Sequence, residues 1–491
     1  MRRLAVLAAI LAAVTAVAAF AGTRPDPAAQ AQADGCGRSV AGLFKREQPT
    51  WAYVNDATAP AEGPAPPAQW ARGLVDANPV WLSSHPTDVD DPVTHDSFDF
   101  LVNVKPDGPY AFLLGTGNFA GEEGDEEMGR LHTEWEEAAF PSFAWPEAGD
   151  RVDLLGSWIW DCGHWADGGE RTELHPLRAV WVQRAGPSPR SPTGEREGDL
   201  FISTDKTPAG ASADCAHRTK GDRAAFNACL AREPNWQDVN GAYRFTLAAP
   251  PRPSPAARLR VRVVDAGSSA GAPAVKVAPS ARGATVSVTV AQPAGSRVVI
   301  AKQVFLGWQP TPASALPVHL RVSFEQILVR RAMDPGCPAT KPLCASVEST
   351  RRGQISRPPG EWALYADVAG IWTRWKLLRP TDGQTLPLRQ TVDVYVGRGR
   401  PWRVFVGGRE CDNSALSAHS ITSPPSPCPR GTAEFLDLVG DDSPGAVVDA
   451  HASASGVDGT HVANARLEHS SCPPVNRLGC YRITYHVTTV R

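Results

Sequence analysis

Leu259-Arg-Val261-Arg-Val263, Val286-Ser-Val288-Thr-Val290 and Val318-His-Leu320-Arg-Val322 alternate apolar and polar residues without a break. Successive side chains of a strand point to opposite faces, so a period of two collects valine and leucine on one face and polar groups on the other. That is the pattern of a half-buried antiparallel strand. Further strands are expected at 297–306, 362–368, 391–396, 402–406 and 481–490, each bounded by loops rich in proline and glycine. The chain carries 43 glycines and 45 prolines but 3 methionines in 491 residues, a composition that favours many short elements over a helical core. The expectation is a mainly β protein whose C-terminal region, 258–491, is an antiparallel β-sandwich with disulfide-stapled loops over 411–480.

Upstream, 34–185 holds nine of the 15 tryptophans. Residues 151–160 alternate, and 173–182 reads as the returning strand, so an N-terminal barrel of the oligonucleotide/oligosaccharide-binding (OB-like) kind is expected. Gly186-Pro-Ser-Pro-Arg-Ser-Pro-Thr-Gly194 and Pro250-Pro-Arg-Pro-Ser-Pro255 lack apolar periodicity and read as linkers, at 186–198 and 250–257. The segment between them, 199–249, is expected to be small and mixed. Its helix-like stretch, 212–232, contains Cys215 and Cys229 and is stopped by Pro234.

Met1-Arg2-Arg3 followed by an apolar run over 4–21 reads as a signal peptide, with small-residue cleavage sites at Ala19-Phe20-Ala21, Ala29-Gln30-Ala31 and Ala31-Gln32-Ala33. Residues 1–33 are therefore assigned to signal and spacer, and the protein to the extracellular side. The alternative is an uncleaved anchor, since such a run is just long enough to span a bilayer. No later stretch reaches that length, so no integral membrane segment is expected after signal removal. Removal of 1–33 leaves 46 bases against 51 acids, from 49 and 52 in the whole chain. Without a basic surplus, nucleic acid is excluded as an expected partner. Ten cysteines in an exported chain point to disulfides. Sequence proximity offers Cys215 with Cys229, Cys337 with Cys344, Cys411 with Cys428 and Cys472 with Cys480, leaving Cys36 and Cys162. No C-x2-C pair supports a zinc-thiolate site.

Chemistry concentrates at one hairpin. Asp161-Cys162-Gly163-His164 opens the loop between the two N-terminal strands, and Glu173-Leu174-His175 stands at the start of the second. Glu173 and His175 share a strand face, and the hairpin returns Asp161 and His164 toward them. Asp161, His164, Glu173 and His175 are donor types that suit Zn2+ or another divalent cation. Asp167, Glu170 and the upstream His85, Asp88, Asp90, Asp91, His95 and Asp96 are additional donors. The competing reading is an ordinary polar network in which Glu173 pairs with His175 and Asp161 with Arg171. Gly440-Asp-Asp-Ser-Pro-Gly445, with Asp449 and Asp458, offers oxygen ligands for Ca2+ or simply an acidic loop. No serine-nucleophile elbow and no phosphate loop is read in the chain.

The run from Gly149 to Trp165, with its Trp-Asp-Cys-Gly-His stretch, and Glu170-Arg-Thr-Glu-Leu-His-Pro-Leu-Arg178 resemble a segment of uncharacterised bacterial secreted proteins. His132, Glu134, Glu136, the 332–337 run and the 398–402 run resemble the same proteins, while Leu177 stands where a second proline is expected. The resemblance implies that Asp161, His164, Glu173 and His175 form a shared unit; it names no reaction. Two functions follow as expectations. One is a binding module for an extracellular ligand, with a metal ion in the N-terminal part. The other is an extracellular metal-dependent hydrolase of phosphoesters or glycans, in which Asp161, His164 and His175 hold the ion and Glu173 is the general base. A structural envelope protein is the third alternative.

Overall fold

All three alternating runs form strands, and two of them bury the face that period two assigns. Val286, Val288 and Val290 are buried on one strand, Leu320 and Val322 on another, whereas Val263 at a sheet edge is 43% exposed. The computed structural model describes residues 30–31, 51–54, 68–75, 84–88, 99–119, 128–136, 140–166, 169–204, 237–293, 296–332, 362–410, 444–466 and 479–490. Among these the chain runs through β1 (Trp51–Tyr53), β2 (Gln69–Val75), β3 (Ser84–Asp88), β4 (Asp99–Val102), β5 (Val104–Pro106), β6 (His132–Glu136), β7 (Arg151–Ala166) and β8 (Gly169–Pro187). Next come β9 (Arg196–Ser203), β10 (Gly241–Ala248), β11 (Arg258–Asp265), β12 (Lys276–Ser280), β13 (Gly283–Val290), β14 (Val299–Gln309) and β15 (Val318–Val329). The last are β16 (Trp362–Val368), β17 (Ile371–Arg374), β18 (Thr385–Val396), β19 (Trp402–Glu410), β20 (Val447–His451), β21 (Gly459–Asn464) and β22 (Tyr481–Thr489).

The protein is mainly β, as expected, but the N-terminal strands do not close into an OB-like barrel. They belong to an open sheet of order β11-β14-β9-β8-β6-β4-β3, with β7 also on β8 and carrying β1 and β2. The reason is the length of β8, 19 residues. Its C-terminal half pairs with β7 on one side and β9 on the other, while its N-terminal end also takes β6 as a parallel neighbour. A strand with three partners branches a sheet rather than curling it shut.

Strand pairing also runs across both proline-rich segments. Pro187 opposes Arg196 in the β8–β9 pair, and Ser188 N–H donates to the Glu195 carbonyl at 2.7 Å, so 186–198 holds two strand ends and the hairpin connection 188–195, with Ser188 and Ser191 fully buried. Beyond 250–257, β11 pairs with β14 and β14 with β9, which places β11 and β14 in the N-terminal sheet. The Trp308 indole N–H donates to the Pro250 carbonyl at 2.7 Å. Serine and proline mark tight, hydrogen-bonded connections as readily as linkers. The helix-like stretch 212–232 lies outside the described residues, as do 1–29.

Among the described residues, three large apolar cores result. The three-stranded sheet β10-β13-β12 covers one face of the large sheet, with Tyr243, Phe245 and Val286 against Trp181, Ile202 and Leu306. The expected C-terminal sandwich is formed by β18-β15-β22-β21 facing β17-β16-β19-β20. Every residue of β16 is buried, because the sheet holding it is covered on both faces. Trp362, Leu364 and Val368 enter the sandwich core, while Ala363 and Tyr365 enter the core of the N-terminal sheet beside Phe100, Trp135 and Trp145. A continuous apolar run, rather than alternation, is what such a strand requires.

A chain truncated to begin at Ala256 is expected to aggregate, since β14 loses β9 and β13 loses β10, exposing Ile300, Val304, Val286 and Val288. A soluble truncated chain with a cooperative thermal transition and a β-type circular dichroism spectrum would contradict this architecture.

Candidate metal centre

The parallel pair β6–β8 sets His132 opposite Glu173 and Thr133 opposite Leu174. Residues two apart share a face, so His132-Thr-Glu134 on β6 and Glu173-Leu-His175 on β8 project four titratable side chains to one place. The start of β8 is fixed by Asn118, whose amide imitates a strand partner. Its Nδ2 donates to the Thr172 carbonyl at 2.9 Å, and its Oδ1 accepts from the Thr172 N–H at 2.9 Å.

His132 Nε2 lies 2.6 Å from Glu134 Oε1, and its Nδ1 lies 2.8 Å from Asn103 Oδ1. His175 Nδ1 stands 3.0 Å from Glu134 Oε2 and 3.8 Å from Glu173 Oε1, the second too long for a hydrogen bond. The side chains of His132, Glu134, Glu173 and His175 are at most 3% exposed. One donor atom each from His132, Glu134 and Glu173 lies within 4.8 Å of the other two. Neither oxygen of Glu173 has a hydrogen-bond partner among the described residues.

The two carboxyls are driven apart electrostatically. Burial alone would raise Glu134, but His175 and His132 outweigh it and hold this carboxyl well below its usual range. Burial, and then the charge of Asp161, push Glu173 up. His175 and His132 only restrain that rise, and a buried carboxylate is costly, so Glu173 either keeps a proton or faces a cation. Carboxylate and imidazole in one cluster are a donor set for Zn2+ and similar ions.

The structure brings together two of the four residues expected as ligands, Glu173 and His175. Asp161 is also buried beside them, but its Oδ2 accepts from Arg171 Nε at 3.0 Å, the pairing foreseen in the polar-network alternative. The side chains of His164, Cys162, Glu170, His85 and Asp88 lie outside the described residues, as do Asp90, Asp91, His95, Asp96 and Asp167. His132 and Glu134 were missing from the expected ligand set. Their H-x-E spacing mirrors E-x-H on β8 and is the signal that could have found them; what it could not show is that the two segments pair in parallel.

A G-x-S-x-G string does occur, at Gly267-Ser-Ser-Ala-Gly271, contrary to the reading of the sequence. It follows β11, not a strand leading into a helix. The Ser269 hydroxyl accepts from the Val299 N–H at 3.0 Å and lies 3.3 Å from the Val299 carbonyl. This serine substitutes for a backbone partner and does not stand at a nucleophile elbow.

No family model and no curated protein matches the chain. Among solved structures, it is similar at a TM-score of 0.19 and 7% identity to human GIVD cytosolic phospholipase A2, over 87% of this chain and 33% of that one. The chain thus spans about a third of that protein's length, and a likeness this weak carries no functional argument.

Proposed function

We propose that this chain is an exported, disulfide-stabilised β-protein whose N-terminal half binds a divalent cation of the zinc class, and that it holds the ion rather than turning over a substrate with it. The carrying observation is Glu173, a fully buried carboxylate with no hydrogen bond to either oxygen among the described residues. Glu173, Glu134 and His132 are the ligands in this reading, with His175 beside Glu134. Asn103, facing His132 Nδ1 at 2.8 Å, orients the ring as an outer partner of a metal ligand does. A catalytic metal keeps a coordination position open to water and substrate; side chains at most 3% exposed favour binding over the hydrolase alternative. Export rests on the N-terminal apolar run and the ten cysteines. Of these cysteines Cys480 is the one whose surroundings are described, and it is fully buried.

Purified without added metal, the protein should carry an equivalent of ion that His132→Ala loses. His319→Ala should keep it, because His319 sits on β15 against Asp393. The ion should dissociate as pH falls through the imidazole range, about 6.5 when unperturbed, since ligation needs the neutral ring. Unchanged metal content in His132→Ala, measured by elemental analysis, would return the cluster to a polar network.

A further inference from the structure

One edge of the C-terminal sandwich carries a second group of donors. Among the described residues, β20 ends one sheet and β21 ends the other. The inward face of β20 presents Asp449 and His451, and that of β21 presents His461. One donor atom from each of the three lies within 4.8 Å of the other two, and all three residues are half-buried. His451 stacks on its cross-strand neighbour Trp402 at 4.3 Å between ring centroids, and His461 on its neighbour Tyr485 at 5.1 Å. These contacts hold both imidazoles in place.

The hydrogen bonds fix the protons. His461 Nε2 lies 2.8 Å from the Val457 carbonyl, which can only accept, so Nε2 carries the hydrogen and Nδ1 the lone pair. The Tyr485 hydroxyl donates its single proton to Asp449 Oδ2 at 2.6 Å. His451 Nε2, 3.0 Å from that hydroxyl, must then donate to it, which leaves Nδ1 of this ring as the lone-pair donor too. An acceptor that orients the far nitrogen is the arrangement of metal-ligating imidazoles.

We infer that Asp449, His451 and His461 form a second divalent-cation site of the zinc class, half-exposed and clipping the edge of one sheet to the edge of the other. Two nitrogens and one carboxylate oxygen suit Zn2+ better than Ca2+, which takes six or more oxygens. Of the other donors expected for Ca2+, Asp441 and Asp442 lie outside the described residues, and Asp458 accepts from the Thr489 hydroxyl at 3.0 Å. Three protein ligands at an accessible edge leave a fourth position to water, so the ion exchanges readily.

The test titrates Zn2+ into chelator-stripped, full-length protein and counts bound equivalents by equilibrium dialysis. Wild type should bind an equivalent that survives Glu173→Gln and is weakened at least about tenfold, the effect of losing even an outer partner, by both His461→Ala and Asp449→Asn. The asparagine can still accept from Tyr485, so Asp449→Asn decides the matter if His461→Ala folds poorly. Zinc binding unchanged by Asp449→Asn, or abolished entirely by Glu173→Gln, would overturn this site. Loss in the Asp449 and His461 variants alone, with Glu173→Gln indistinguishable from wild type, would uphold it while refuting the buried centre.

Discussion

Glu173→Gln is expected to melt below wild type in saturating Zn2+ and above it in chelator. With the ion bound, the substitution removes a charged ligand. The native state then loses a stabilisation that reaches about 4 kcal/mol when free ion stands roughly a thousandfold above its dissociation constant. Without the ion, the same substitution relieves a carboxylate that has neither hydrogen bond nor solvent, a gain of about 1–3 kcal/mol near neutral pH. The pH dependence follows from the raised Glu173 carboxyl. A folded state that binds its proton more tightly than the unfolded chain draws stability from it below about pH 4, the unfolded value, and loses that stability as pH rises through the folded value. The metal-free wild type should therefore weaken with rising pH more steeply than Glu173→Gln. Melting temperatures that move in the same direction in Zn2+ and in chelator would argue for an ordinary polar network.

Arg184→Met should cost about 3–5 kcal/mol, and more at pH 8.5 than at pH 5. The guanidinium is buried and spends its donors on four acceptors. Nε donates to Asp199 at 2.8 Å, Nη1 to Asp150 at 3.0 Å and to the Trp145 carbonyl at 2.7 Å, and Nη2 to the Phe143 carbonyl at 2.6 Å. Burial opposes this charge, but Asp199 and Asp150 outweigh it and raise the group further. Asp199 is pushed up to about 8 by burial and by the neighbouring Glu197, with Arg184 restraining the rise. Burial raises Asp150 as well. For both acids the proton stabilises the fold below about pH 4 and the contribution disappears as pH rises through the folded value, near 8 for Asp199. Without Arg184 the two carboxyls rise again, so the variant is least impaired when they are protonated. Asp199→Asn, neutral throughout, should flatten the fall in stability between pH 4 and 8. Urea unfolding of the three proteins at both pH values checks this; an equal loss for Arg184→Met at pH 5 and pH 8.5 would contradict it.

Local pattern carried the strands: alternation located β11, β13 and β15, and the shared face of Glu173 and His175 was readable from a spacing of two. Pairing over long distances was not readable. The neighbour that completes the buried centre, β6, lies about forty residues upstream of β8, and its parallel register depends on a branched sheet that no local pattern announces. The expected barrel failed for the same reason, because closure depends on how many partners β8 accepts. Proline and serine at 186–194 looked like a linker since composition reports a turn without reporting whether its flanks pair. At the sandwich edge, Asp449 was noticed for its acidity alone; His451 and His461 became its neighbours only when two sheets met.

The most direct measurement is anomalous scattering at the zinc edge from crystals of the full-length protein grown with Zn2+. A peak is expected within coordination distance of a Glu173 carboxylate oxygen, with Glu134 and His132 as co-ligands. Ordered density for Glu173, Glu134 and His132 with no anomalous peak among them would contradict it.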